Sequence, residues 1–405
     1  MTPKRILITY GWCRTAYVAT RCLAQAGYEV YVCDNSNLAM TRFSRYCKKF
    51  VKVPDPFSSP QHYAEEVFKL SEKYNIDCIL PIHEDVIALY RYTAVNPTSL
   101  PVMLAPDLDI LQQVMDKSIM RKIASETGIP LPFSGEYTSR SELASLLDRM
   151  LQHYKKVIMK PRHGNSGKGI YVLDSTDDIE KSINLFEKNY GKIENQKPVV
   201  EQFIEGDVFG VCFLAKNGVI SLQFSERYIM SKSGGMGTSV YREPYNSASL
   251  HESAKKLASR LNWSGIGHFD FIGNGNDTFY FLEMNPRLWG GINNSIANGY
   301  NFPVELVDSI CGHAKHHPNP KPQTNKRTMW MLGMFIAVIS SLKSKKFSEA
   351  FEAISLIMNS KTIDYDDYNS DDKAVFFAQC AHYFTEFVKS GGNINPERPE
   401  MVIKT

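Results

Sequence analysis

The sequence predicts a mixed α/β and α+β chain: a parallel-sheet domain, then a two-lobed α+β body, then a helical C-terminal extension. Three observations carry this. Residues 6–9 (Ile6, Leu7, Ile8, Thr9) are a short apolar strand, followed by Gly11, a helical run through Ala16, Ala19, Leu23 and Ala26, and a second strand over 29–33. That is the β-α-β opening of a parallel sheet. Two later segments alternate about the turn sequences Lys216-Asn217-Gly218 and Asn274-Gly275-Asn276-Asp277, which reads as two antiparallel hairpins. From 328 to 391 the pattern turns helical, with an acidic patch over 364–372.

Further strands fit residues 50–53 and 78–81, with a helix over 61–74 between them. The first hundred residues thus form a small Rossmann-like domain. Its nucleotide signal is weak, because Gly11-Trp12-Cys13-Arg14-Thr15-Ala16 is not G-x-G-x-x-G, and Asp34 reads as a structural strand end. A single helix is expected over 109–127, stopping at Gly128-Ile129-Pro130. A compact segment follows, with strands at 156–161, 169–173 and 198–204 and a helix near 177–190. The hairpins occupy 209–227 and 268–285, with a helix at 249–261 between them. The expected units are 1–110, a small lobe with its linking helix over 111–200, a large lobe over 201–325, and a helical region over 326–405.

The chain has 405 residues, long enough for two to three domains and a sizeable core. It is 43% hydrophobic and 22% charged, and its net charge of +3 is too near balance to argue for nucleic acid or an anionic membrane. The eight cysteines form no C-x-x-C pair, so reduced thiols are expected rather than disulfides or a zinc ribbon. Residues 6–9 are far too short for a signal-peptide core, and the longest apolar run, 329–339, is too short to span a bilayer. A cytoplasmic protein without a transmembrane segment is the expectation.

The second hairpin concentrates the chemistry. Strand alternation puts Glu283 and Asn285 on one face. If the four-residue turn pairs Gly273 with Thr278, Asp270 faces Phe281 and Glu283 is its diagonal neighbour. Two carboxylates and an amide oxygen then converge on a sheet surface. Burying two unpaired carboxylates together is costly. A hard cation with oxygen ligands removes that cost, and Mg²⁺ combines few protein carboxylates with phosphate oxygens. Arg287, just beyond the strand, suits a transferring phosphoryl group or a developing oxyanion. The plainer alternative is a solvated charged hairpin face. The aromatic flanks and the following Pro-Arg-Leu-Trp-Gly-Gly favour the metal site.

The turn His163-Gly164-Asn165-Ser166-Gly167-Lys168-Gly169 joins two strands with three glycines, which lets backbone N–H groups approach phosphates. It is not a Walker A motif, which needs a different spacing and a helix directly after the glycines. Lys160 lies in the apolar strand Val157-Ile158-Met159, where a buried ammonium needs an anion.

In order and spacing, these residues resemble the ATP-grasp superfamily. The matching segments are Met115-Asp116-Lys117, Gly128-Ile129-Pro130, Lys160-Pro161 with the glycine loop, Val200-Glu201-Gln202-Phe203-Ile204-Glu205-Gly206, Asp270, and Glu283-x-Asn285-x-Arg287. The resemblance covers roughly residues 1–310. Within the superfamily it looks most like the carboxylate–amine ligases and the large subunit of carbamoyl-phosphate synthase. It implies that Lys117 and Lys160 contact ATP phosphates, that the loop with Gly164, Asn165, Ser166, Gly167 and Gly169 closes over them, and that Glu201 with the backbone of Gln202, Phe203 and Ile204 reads adenine. It implies that Asp270, Glu283 and Asn285 bind one or two Mg²⁺ (or Mn²⁺) and that Arg287 contacts the reacting phosphoryl group. The ribose acid of the family falls at Val208, with Asp207 one place early, so Asp207 is the candidate ribose ligand. The family's flexible loop is matched by residues 233–239, whose Gly and Ser suit either a substrate lid or a plain disordered loop.

Arg227 and Arg242 flank that loop and are candidates to clamp a substrate carboxylate; surface arginines are the alternative. Glu84, in His83-Glu84-Asp85 at a strand end, is a candidate on the substrate side; a helix-start acid is the alternative. Cys311, His313, His316 and His317 stand in a proline-rich stretch that reads as a linker. The expected reaction is an ATP-dependent ligation: a carboxylate is activated as an acyl phosphate and captured by an amine, with small-molecule partners and a homodimer left open. The alternatives are a bicarbonate-using carboxylase or carbamoyl-phosphate type of enzyme, and a non-catalytic ATP-binding regulatory module. An NAD(P) oxidoreductase rests only on the first β-α-β unit.

Overall fold

A computed structural model describes residues 3–96, 106–164, 167, 169–233, 236–273, 277–311, 325–359 and 363–392. The chain opens with β1 (Arg5–Ile8), α1 (Arg14–Gln25), β2 (Glu29–Asp34), β3 (Lys49–Lys52), α2 (Pro60–Lys73), β4 (Cys78–Leu80) and α3 (Val86–Val95). The four strands make a parallel sheet in the order β3-β2-β1-β4. Ile6, Leu7 and Ile8, like Val30, Val32 and Cys33, are buried in succession, the pattern of strands covered on both faces. Asp34 accepts the Trp12 N–H at 3.1 Å and the Ser36 N–H at 2.7 Å, so it shapes the strand end, as expected.

The single helix expected over 109–127 is two: α4 (Leu108–Val114) and α5 (Lys117–Glu126). Asp116 breaks the run. Its carboxylate accepts from the N–H groups of Ser118 and Ile119, starting α5 afresh. A small lobe follows: α6 (Arg140–His153), β5 (Lys156–Lys160), β6 (Tyr171–Asp174), α7 (Ile179–Tyr190), α8 (Ile193–Gln196) and β7 (Val199–Gln202). Its antiparallel sheet has the order β6-β5-β7 over a core of Leu143, Leu147, Met159, Ile183 and Phe186. The boundary expected at 200 therefore falls inside β7.

The largest sheet has seven strands in the order β12-β11-β8-β9-β10-β13-β14. Its elements are β8 (Asp207–Lys216), β9 (Val219–Ser233), β10 (Met236–Pro244), α9 (Ala248–Arg260), β11 (Gly265–Gly273), β12 (Phe279–Asn285), α10 (Ile292–Ala297), α11 (Phe302–Cys311), β13 (Thr328–Met329), α12 (Met331–Lys343), α13 (Phe347–Met358), β14 (Asp364–Tyr365) and α14 (Lys373–Lys389). The β8–β9 turn is tight because Asn217 and Gly218 take φ of 50° and 77°. One sheet face packs Phe209, Phe213, Phe269 and Phe281 on α5 and α9. On the other side, Cys212, Phe224, Ile266 and Trp289 join the core of the N-terminal domain.

Three expectations change. The region from 326 is not wholly helical: β13 pairs with β10 and β14 with β13, extending the sheet. Their backbone groups would otherwise be unpaired edges. The glycine-serine segment 233–239 is mostly strand, with Ser233 paired to Met236 at the head of the β9–β10 hairpin; Gly234 and Gly235 lie outside the described residues. The register of the β11–β12 hairpin also differs. Gly273 pairs with Phe279 and Phe271 with Phe281, after which Leu282 is skipped and Asp270 pairs with Glu283. The loop is one residue longer than expected, and a bulge restores the facing of the acids. Residues 312–324, with His313, His316 and His317, lie outside the described residues.

Candidate active site

The three sheets and the helical segments meet around one cavity of about 710 Å³. Its carboxylate cluster is built by β-sheet pairing. Asp270 and Glu283 stand directly opposite on β11 and β12, where side chains are about 5 Å apart at Cβ. Asn285, two residues on, donates its amide to Asp270 Oδ2 at 2.9 Å. The Tyr228 hydroxyl, from β9, donates to Asp270 Oδ1 at 3.0 Å and lies 3.2 Å from His268 Nε2. A Cβ on Gly210 would come within 2.5 Å of His268 Nε2, so only glycine admits this triad.

The two acids are not equivalent. Burial, then the Glu283 charge, pushes the Asp270 carboxyl up to about 8. Burial acts on Glu283 too, but the Lys117 ammonium outweighs it, helped by Lys160 and Arg287, and holds Glu283 below its ordinary value. Lys117 Nζ lies 3.0 Å from Glu283 and donates to the Gly164 carbonyl at 2.7 Å. Its place at the start of α5 is set by Asp116, which also binds Arg162 Nε at 2.6 Å and so ties the helix to the glycine turn. Gly164, Gly167 and Gly169 all have positive φ there. Asn165 and Ser166 lie outside the described residues.

Lys160 is buried and sits 2.6 Å from Glu201, whose second oxygen is held by Arg121. Two cations on one buried carboxylate leave a surplus positive charge at this end of the cavity. The Gln202 and Phe203 N–H groups donate to Phe133 and Lys156 carbonyls at 2.8 and 3.1 Å. They are committed to the lobe itself, so two of the three hinge residues expected to read adenine have their N–H groups occupied. Arg287 donates to Asn285 Oδ1 at 3.1 Å and lies 3.6 Å from Glu84. Glu84 is thus brought to the site through Arg287.

Two expected residues are not brought there. Arg227 points to the opposite face of β9 from Glu226 and Tyr228, donating to Glu243 Oε1 at 2.9 Å and lying 3.4 Å from Asp207. Strand alternation decides this. Asp207 is largely exposed and outside the cavity, while Val208 lines it. Arg242, by contrast, is fully buried and lines the cavity, bound to Asp366 at 2.6 Å.

Pattern reading missed Tyr228, His268, Glu226 and Arg14, all of which line the cavity. Glu226 and Tyr228 carried a signal: they share the face of β9 that Arg227 avoids. Burial and the charge of Arg287 depress the His268 imidazole to about 3, so it is neutral. A second group of possible metal donors is Cys212, Glu226 and His268, whose ligand atoms lie within 4.8 Å of one another. Burial drives the Cys212 thiol well above its ordinary value, which opposes a thiolate ligand. Asp270, Glu283 and Asn285 are the oxygen set, and they suit a hard cation.

Residues 114–291, which hold Lys117, Lys160, Glu201, Asp270, Glu283, Asn285 and Arg287 but not Arg14, Glu84 or Asp366, match the ATP-grasp domain profile. Residues 114–291 therefore form an ATP-grasp domain. Among curated relatives, the urea amidolyase of Saccharomyces cerevisiae is 29% identical over 202 residues, covering 46% of this chain and 10% of that protein. The formate-dependent phosphoribosylglycinamide formyltransferase of Corynebacterium efficiens is 28% identical over 196 residues, covering 45% of this chain and 47% of that protein. The chain thus spans from a tenth to about half of these relatives. Among solved structures, the biotin carboxylase of Campylobacter jejuni gives a TM-score of 0.65 at 18% identity over 80% of this chain and 74% of the other. The L-amino acid ligase of Bacillus licheniformis gives 0.57 at 16% identity over 79% and 78%. These two are likenesses of fold. Among the described residues, no helix is long and apolar enough to cross a membrane.

Proposed function

We propose that this chain uses ATP and Mg²⁺ to activate a carboxylate as an acyl phosphate and joins it to an amine, releasing ADP and phosphate. The observation that carries the reading is the meeting of Asp270, Glu283 and Asn285 with Lys117, Lys160 and Arg287 in one cavity. Opposed carboxylates, one pushed up by burial, fit a hard divalent cation between them. Bound there, Mg²⁺ would neutralise charge on the phosphate oxygens.

A carboxylate resists amines because its leaving group would be oxide. In the proposed reaction a substrate carboxylate oxygen takes the γ-phosphoryl group of ATP, and the bond to the ADP oxygen breaks. Lys160, pinned by Glu201, and Lys117, pinned by the Gly164 carbonyl, hold the phosphates. Arg287 faces the transferring group. The amine then attacks the carbonyl carbon, phosphate leaves, and the amine's proton goes with it to solvent. No nucleophile of the chain is required. The hinge residue Ile204 and the apolar Val208 and Ile158 suit the base of the nucleotide. The names of a formate-dependent enzyme and an amino acid ligase among the similar proteins support a carboxylate as the acceptor.

The test is phosphate release from ATP over a pairwise matrix of amino acids and small carboxylates, with and without bicarbonate. Release that needs one acid and one amine supports the ligase. Release on bicarbonate alone moves the reading to a carboxylase, which the biotin carboxylase likeness keeps open. Tight ATP binding with no turnover across the matrix would make the chain a regulatory module.

A further inference from the structure

Beyond the carboxylate pair, the cavity ends against the N-terminal domain in a box of buried charge. Glu226 reaches it from β9, Arg242 from β10 and Arg14 from the first turn of α1. Glu226 and Arg242 are both fully buried. Arg242 uses Nη2 on Asp366, and its Nε and Nη1 have no partner among the described residues. Glu226 accepts from Asn294 Nδ2 at 2.9 Å through one oxygen, and its Oε1 has no partner among the described residues. Arg14 donates to the Gly290 carbonyl at 3.0 Å, lies 3.5 Å from Asp366, and stacks over Trp330 at 4.1 Å.

Two glycines keep this box open. A Cβ on Gly290 would lie 2.6 Å from Arg14 Nη2. A Cβ on Gly291 would lie 2.6 Å from Glu226 Oε1 and 2.9 Å from Arg242 Nη1. Any side chain there would occupy the space between the charged groups.

The chemistry of the box selects its occupant. Two guanidiniums share one carboxylate, Asp366, which leaves positive charge and unused donors for an anion. Beside them, Glu226 Oε1 is an unused acceptor suited to a cation. A buried group left unpaired is costly, so a ligand with one sign of charge would satisfy only half of the box. A carboxylate and an ammonium separated by one carbon satisfy both halves. We infer that this box binds the α-carboxylate and α-ammonium of an amino acid, which thereby serves as the amine donor of the reaction. Its carboxylate is held by arginines, away from activation. Its nitrogen lies towards Glu226, and Glu226 shares a face of β9 with Tyr228, about 7 Å along the strand and hydrogen-bonded to Asp270. The aromatic walls of Trp12, Trp330 and Tyr383 suit an apolar side chain. The role as amine donor rests on the ligase reading; the binding does not.

The experiment is melting-temperature measurement on the full chain with Mg²⁺ and a non-hydrolysable ATP analogue. The probes are the common amino acids, each alone, and two matched sets: L-phenylalanine, 3-phenylpropionate and phenethylamine; L-leucine, 4-methylpentanoate and isoamylamine. At least one apolar amino acid should raise the melting temperature by several degrees, with its des-amino and des-carboxy analogues inert. Glu226→Gln should weaken that binding by about tenfold, and Gly291→Ala should remove it, both keeping the shift with the ATP analogue. The inference is overturned if no amino acid binds, if the analogues bind as well, or if both variants bind unchanged. The analogue comparison on the unaltered protein decides the matter even where a variant fails to fold. Phosphate release on simple acids and amines without amino acid binding would sink this inference and leave the ligase reading standing. Amino acid binding with no turnover would do the reverse.

Discussion

Asp270 stands directly opposite Glu283 because the β11–β12 hairpin carries a bulge at Leu282. Without that extra residue, Asp270 would face Leu282 and Glu283 would turn away. The bulge therefore creates the carboxylate pair, and its neighbours set the two acids apart in protonation. Asp270→Ala or Glu283→Ala should lower ATP turnover by about a hundredfold or more while the chain stays folded. Assay of ADP formation beside circular dichroism checks this, and full activity in either variant would sink the metal assignment.

Lys160 and Arg121 both bind Glu201, so this end of the cavity keeps a cation to spare. Lys160→Ala should raise the KM for ATP by roughly ten- to hundredfold, the scale of a charge-assisted hydrogen bond. A titration of rate against ATP concentration reads it directly. An unchanged KM would remove Lys160 from the nucleotide.

Gly210 faces the His268–Tyr228–Asp270 triad with no room for a side chain. Gly210→Ala should destabilise the fold by about 1–3 kcal/mol and weaken Mg²⁺-dependent activity together. Urea denaturation and a Mg²⁺ titration measure the two effects. A variant with native stability would show that the triad has slack.

Arg227 pairs with Glu243 on the face of β9 away from the cavity. Arg227→Ala should change turnover by less than about twofold and stability by less than about 1 kcal/mol, as for an exposed ion pair. A large fall in kcat would return Arg227 to the substrate site.

Asp85 is buried against Thr9 and Tyr63, and burial lifts its carboxyl from 3.8 to about 6. A raised acid gives stability that is complete below the unfolded pKa and is lost as pH rises through the folded one. The loss approaches about 3 kcal/mol across pH 4 to 6. Asp85→Asn should flatten the dependence of the urea midpoint on pH in that window. An unaltered slope would mean that Asp85 is ionised throughout.

Much of this protein was legible without coordinates. The β-α-β opening and the two hairpins follow from period and turn chemistry, the grouping of Asp270, Glu283, Asn285 and Arg287 from strand alternation, Lys160 from its apolar strand, and Lys117 and Glu201 from the ATP-grasp resemblance. Those signals are local, and local signals survive in one dimension. The misreadings also have physical causes. Helix period alone does not reveal that Asp116 caps a new helix, because a cap is a hydrogen bond and not a pattern. The β11–β12 loop is one residue longer than its turn sequence suggests, and a bulge compensates for it. The facing of Arg227 depends on the register of β9 against β8 and β10, which no local pattern carries.

By itself, then, the sequence determined most element types, the ATP-grasp resemblance and a candidate set of groups for a nucleotide. Only the tertiary structure decided which of those groups face one another. It placed Arg14 of the first helix, Glu226 and Arg242 of the middle strands and Asp366 of the tail around one buried box. These residues are far apart in the chain, and their charges constrain each other only after folding removes the water between them.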